Sequence, residues 1–101
     1  MQLPFKLYPQ QPIAGDKLIV TYNNGILLDG LEKEIYLKFG FGEEFAEGKV
    51  YETKMIKKNG EYIAVLPLLK SGILFFAFKD SFGNIDDNNG TFYKIGIKSK
   101  E

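Results

Sequence analysis

Apolar and polar residues alternate along most of this chain, and no stretch carries a convincing helical period, so the pattern predicts strands joined by turns. Leu3, Phe5 and Leu7 alternate with Gln2, Lys6 and Tyr8, a short opening strand that Pro4 and Pro9 assign to a sheet edge because neither can donate to a ladder. Residues 17–22 are β-branched and aromatic and stop at Asn23-Asn24-Gly25; Ile26, Leu27 and Leu28 then read as an apolar plug before a turn at Asp29-Gly30. In residues 34–39, Ile35, Leu37 and Phe39 share one face and Tyr36 and Lys38 the other. Residues 49–58 read as one strand with neither face cleanly apolar, and Asn59-Gly60 turns it back into residues 61–66, which Pro67 ends. The run Ile73, Leu74, Phe75, Phe76, Ala77, Phe78 is too short to span a membrane and predicts a core strand buried on both faces. Residues 79–90, rich in Asp, Asn, Ser and Gly, read as a hydrogen-bonded loop that leads into a last strand over residues 91–97, and the tail from Lys98 is expected to fray.

About seven short strands with regular turn signals predict an all-β chain, an immunoglobulin-like Greek-key β-sandwich of antiparallel strands. At 101 residues, residues 1–101 make one domain, and 45% apolar content supplies its interior. Thirteen basic residues balance thirteen acidic ones and every basic residue is Lys, which argues against nucleic acid as a partner: there is no net field and no guanidinium fork. The chain has no cysteine, hence no disulfide, thiolate nucleophile or zinc–sulfur site. It also has no histidine, which removes the commonest general base and metal ligand. The opening residues show no signal peptide and no run long enough for a membrane span, so the expected compartment is cytoplasmic for a complete chain and extracellular for a piece of a secreted enzyme.

Candidate chemistry is thin. Glu43, Glu44 and Glu47 supply carboxylates for a glycosidase, but their loop reads as ordinary solvated charge and so small a domain offers little cleft. Asp86, Asp87, Asn88 and Asn89 are oxygen-rich, yet the glycine falls outside the EF-hand register and no closing Glu follows, so an Asx-rich turn is the better reading and no metal is expected. Ser71, Ser81 and Ser99 have no histidine to activate them. Loop aromatics beside amides fit a sugar better, since a pyranose offers C–H faces to an aromatic ring and hydroxyls to Asn and Asp. Spacing leaves two alternatives open: Phe41, Phe45, Tyr51, Phe82, Asn84, Asp86 and Asn88 form such a surface, or Phe41, Phe45 and Phe82 tuck under their loops as satellite core.

An ordered set of segments carries a family resemblance. It runs through Leu18-Ile19-Val20-Thr21-Tyr22-Asn23, Leu28-Asp29-Gly30, Ile35-Tyr36-Leu37-Lys38-Phe39-Gly40-Phe41, Met55, Asn59-Gly60-Glu61-Tyr62, Leu74-Phe75-Phe76-Ala77-Phe78-Lys79-Asp80 and Asp86-Asp87-Asn88-Asn89-Gly90. It resembles the starch-binding modules of carbohydrate-binding families 25 and 53, over nearly the whole chain. The resemblance implies an immunoglobulin-like sandwich that binds α-glucan polysaccharide or maltooligosaccharide without catalysis or cofactor, often beside a glycan-active enzyme or a sister domain. Such modules stack glucose on tryptophans and use a nearby histidine; the aligned positions here are Phe45, Ile85 and Lys38. The implied ligand-binding set is Lys38, Phe41, Phe45, Asn84, Ile85 and Asn88, with Phe41, Phe45 and Ile85 as the apolar platform and the others facing hydroxyls. Asp86, Asn88 and Gly90 match the family's turn and are expected to hold the loop. The alternative is a structural or protein-interaction module of the same fold whose sugar site has degenerated.

Overall fold

The computed structural model describes residues 3–28, 33–42 and 50–100. Its strands are β1 (Phe5–Tyr8), β2 (Lys17–Tyr22), β3 (Ile35–Phe41), β4 (Val50–Lys54), β5 (Ile56–Lys58), β6 (Glu61–Pro67), β7 (Gly72–Asp80), β8 (Ile85–Asp86) and β9 (Tyr93–Ile97), with no helix among the described residues. They form a four-stranded sheet in the order β1-β2-β6-β5 and a five-stranded sheet in which β4-β3-β7 is continued by β8 and β9 along the same edge of β7. Every pairing within the sheets is antiparallel. The molecule is therefore all-β and sandwich-like, as its alternating pattern predicts.

The inner faces meet in one apolar cluster. Leu18, Val20, Tyr22, Ala64 and Leu66 come from the four-stranded sheet, and Ile35, Leu37, Leu74, Phe76 and Phe78 from the other. Aromatic rings bridge the layers: Phe5 meets Phe76 edge-on at 5.0 Å and Tyr22 lies 4.3 Å from Phe78. Such pairs contribute about 0.5–1.5 kcal/mol each beyond the area they bury. The core strand is as expected from Leu74 through Phe78, which are buried without a break, while Ile73 at the head of the expected run is exposed. Leu27 is the buried member of the expected plug, while Ile26 stays exposed.

The strand expected over residues 49–58 is a different object. It breaks at Met55, and its halves belong to different sheets: β4 pairs with β3, and β5 pairs with β6. Met55 is 2% exposed between the layers and its N–H donates to Ile35 O at 2.8 Å. The mixed faces in the sequence are thus one segment serving two sheets. Residues 79–90 are not all loop either, because Lys79 and Asp80 extend β7 and Ile85–Asp86 returns as β8. These additions raise the strand number above the seven expected. The expected fraying does not begin at Lys98: Ala14 N–H donates to Lys98 O at 2.8 Å, Lys98 N–H donates to Pro12 O at 3.0 Å, and Ile13 and Lys98 form a parallel bridge. The β5–β6 turn is as expected, with Asn59 at φ 54° and Gly60 at φ 81°, the left-handed pair that suits a two-residue hairpin.

Candidate functional site

The outward side of the five-stranded sheet carries the sequence-derived positions that come together. Strand alternation sends Ile35, Leu37 and Phe39 inward, so Tyr36 and Lys38 look outward. Pairing then sets Lys54, Tyr36, Lys79 and Ile85 in one row across the sheet, and Glu52, Lys38 and Ala77 in the next. Lys38 and Ile85 thus share a face on either side of β7. Ile85 is 43% exposed, and Lys38 is half-buried beside the small side chain of Ala77.

Most charges on this face are paired. Lys54 Nζ donates to Glu34 Oε2 at 2.8 Å, Tyr36 Oη donates to Glu34 Oε1 at 2.6 Å, and Lys79 pairs with Glu52 at 2.9 Å. The Lys54 and Tyr36 hydrogen bonds hold the Glu34 carboxyl below its ordinary range, while Glu34 pushes both Lys54 and Tyr36 up. Lys79 Nζ also lies over the Tyr36 ring at 5.8 Å. Lys38 has no such partner among the described residues, and its ammonium carries three N–H donors that suit a ligand oxygen.

The remaining predicted positions lie elsewhere. Phe41 stands opposite Leu74 on the inward side, packed against the core and edge-on to Phe39 at 6.2 Å. Asn84 serves the turn that joins β7 to β8: its Nδ2 and N–H both donate to the Asp80 carboxylate, at 3.0 and 2.9 Å. Asn88 adopts φ 58° and donates from Nδ2 to Phe92 O at 3.3 Å. Phe45 lies outside the described residues, as do Glu43, Glu44 and Glu47.

Two buried carboxylates hold the loops beside this face. Asp80 accepts from Phe82 N–H at 2.9 Å and from Lys33 Nζ at 2.9 Å in an ion pair whose side chains are 2% and 0% exposed. Burial alone raises the Asp80 carboxyl, but the bonds from Asn84, Lys33 and Phe82 win and hold it well below the usual carboxylate range. Lys33 Nζ also stands 5.6 Å from the ring centre of Phe82, itself 62% exposed. Asp86, next to Ile85, accepts from Tyr22 Oη at 2.6 Å and Tyr93 Oη at 2.7 Å, which ties β8 to β2 of the opposite sheet and to β9. Burial, and then the bond to Asp86, push both tyrosines above their ordinary range.

Sequence reasoning passed over Tyr36, Lys79 and the buried tyrosines. Tyr36 was within reach, since the alternation that turns Lys38 outward turns Tyr36 outward too. Among the described residues no cluster of His, Cys, Asp or Glu could hold a metal, and no helix is long and apolar enough to cross a membrane. The chain matches no protein-family model, no curated protein and no solved structure.

Proposed function

We propose that this chain is a non-catalytic carbohydrate-binding module for α-glucans, on an immunoglobulin-like Greek-key frame, with its ligand on the outward side of the five-stranded sheet. The observation that carries the reading is the shared placement of Lys38 and Ile85, aligned by resemblance with the histidine and a tryptophan of starch-binding modules, on one face in adjacent rows on either side of β7. An aliphatic side chain meets the C–H face of a glucose, and the Lys38 ammonium donates to its hydroxyls. Tyr36 lies in the row of Ile85, Phe82 is exposed in the turn that joins β7 to β8, and Phe45 is a candidate by the resemblance alone. The paired lysines and glutamates around this surface set the edge of the sheet and take no part in bond breaking.

Affinity electrophoresis against amylose, glycogen and pullulan, with cellulose and xylan as controls, tests this. The parent should be retarded by the α-glucans alone, and Ile85→Ala and Lys38→Ala should each weaken retention about tenfold, or ~1.4 kcal/mol, with unfolding midpoints unchanged. Absence of retention on every α-glucan, or variants retained as well as the parent, refutes the reading. A second reading, a protein-interaction module with its sugar site lost, is favoured by one observation: Tyr8, Ile56 and Val65 are exposed on the other sheet. It predicts no retention on any polysaccharide.

A further inference from the structure

The chain has three Asn-Gly pairs, at 24–25, 59–60 and 89–90. An asparagine that precedes glycine is open to attack by its own backbone. The glycine nitrogen gives up its proton and bonds to the asparagine Cγ, the Cγ–Nδ2 bond breaks, and ammonia carries the proton away. The succinimide ring so formed takes up water at either carbonyl and opens to aspartate or to isoaspartate. Glycine permits the closure because it has no Cβ to crowd the ring. Water is the only co-reactant, so what separates the three pairs is how the fold holds the attacking nitrogen.

Two of the pairs sit in turns of the same form. Asn59 and Gly60 have φ 54° and 81°, Asn89 and Gly90 have φ 58° and 88°, and all four residues are exposed. One bond distinguishes them: Gly90 N–H donates to Asp87 Oδ1 at 2.9 Å, whereas Gly60 N–H donates to no group among the described residues. The Asp87 carboxylate ties the Gly90 nitrogen away from Asn89 Cγ, and its charge opposes loss of that nitrogen's proton. The third pair is held by packing and by its flanks. Gly25 lies against the Tyr22 ring, its carbonyl accepts from Leu28 N–H at 3.1 Å, and Asn24 N–H donates to Pro4 O at 3.1 Å. We propose that Asn59 is a site of self-modification, converting through the succinimide, and that Asp87 protects Asn89 from the same reaction. Ring closure needs the turn to open, and β5, an edge strand with three residue pairs to β6, is short enough to open locally. Both products put a carboxylate next to Lys57 and Lys58. Isoaspartate also adds a carbon to the main chain of a two-residue turn, so the Lys58–Glu61 pair loses its register and β5 loosens. The inference is independent of any sugar ligand.

Incubation of the full chain in warm, mildly alkaline buffer, with its peptides mapped by tandem mass spectrometry and isoaspartate read by enzymatic methylation, tests this. The expected result is conversion at Asn59 about tenfold faster than at Asn89 or Asn24, the factor that one hydrogen bond to a charged group supplies. Asp87→Ala, with folding checked by circular dichroism, should bring the rate at Asn89 to within about threefold of that at Asn59 and leave Asn59 as it was. The comparison within the parent chain stands without any variant. Asn89 or Asn24 converting as fast as Asn59 overturns the proposal. So does an Asn59 that stays intact in the folded chain while a synthetic peptide of residues 56–63 converts. An Asn89 that remains slow in folded Asp87→Ala overturns the protective role of Asp87.

Discussion

A carboxylate taken out of water must find hydrogen-bond donors, and Asp86 finds them in tyrosines on β2 and β9. Removing one leaves a charged oxygen short of a donor in a dry site, so Tyr22→Phe is expected to destabilise the fold by about 1–3 kcal/mol, read from chemical denaturation. Tyr22 Oη also accepts from Leu27 N–H at 3.2 Å, and Gly25 packs so closely on this ring that a Cβ there would overlap Oη. Gly25→Ala should cost as much as the phenylalanine change, since a hydroxyl locked to Asp86 has nowhere to go. The pH dependence follows from the shifts. Asp80 is depressed in the fold from an ordinary 3.8, so the unfolded chain takes up its proton first on acidification. Its stabilisation is full above that value and is lost as pH falls below it toward the folded value. Tyr22 and Tyr93 are raised from 10.0, so their stabilisation is full below pH 10.0 and is lost as pH rises beyond it. Titration of tyrosinate absorbance should show these tyrosines ionising only as the protein unfolds in alkali, and Asp80→Asn should flatten the acid limb of a stability profile.

Elements of this fold were legible wherever a segment served one sheet. β-Branched and aromatic content located β2, alternation located β3, the Asn59-Gly60 pair located the β5–β6 turn, and an unbroken apolar run located β7. It failed at Met55, because a strand that passes between layers shows two half-patterns whose sum looks like none. The site was legible only in part for a related reason. Which face Lys38 occupies follows from its own strand, but that Ile85 shares this face depends on β8, a two-residue strand whose pairing with Phe78 and Lys79 no local signal announces. Phe41 falls on the inward side by the same alternation, and the amides of Asn84 and Asn88 serve their turns because a loop must satisfy its own backbone before it faces a ligand. Met55 tests the account of the crossover: Met55→Ala removes the buried side chain where the segment changes sheets, and should cost about 2–5 kcal/mol with the denaturant midpoint falling accordingly.

At the scale of the whole molecule, the proposed glucan face lies on the five-stranded sheet, on the side turned away from the four-stranded one. The bridge between Ile13 and Lys98 has a mechanical consequence of its own. Its rungs join parallel segments, so tension applied at Gln11 and Lys100 shears the bonds of Pro12, Ala14 and Lys98 together, whereas tension across Ile56 and Ile63 peels the β5–β6 ladder one bond at a time. Single-molecule pulling on a chain free of cysteine, with handles placed at either pair, should therefore meet a higher rupture force in the first geometry, and the molecule should act as a taut link along its length and a yielding one across it.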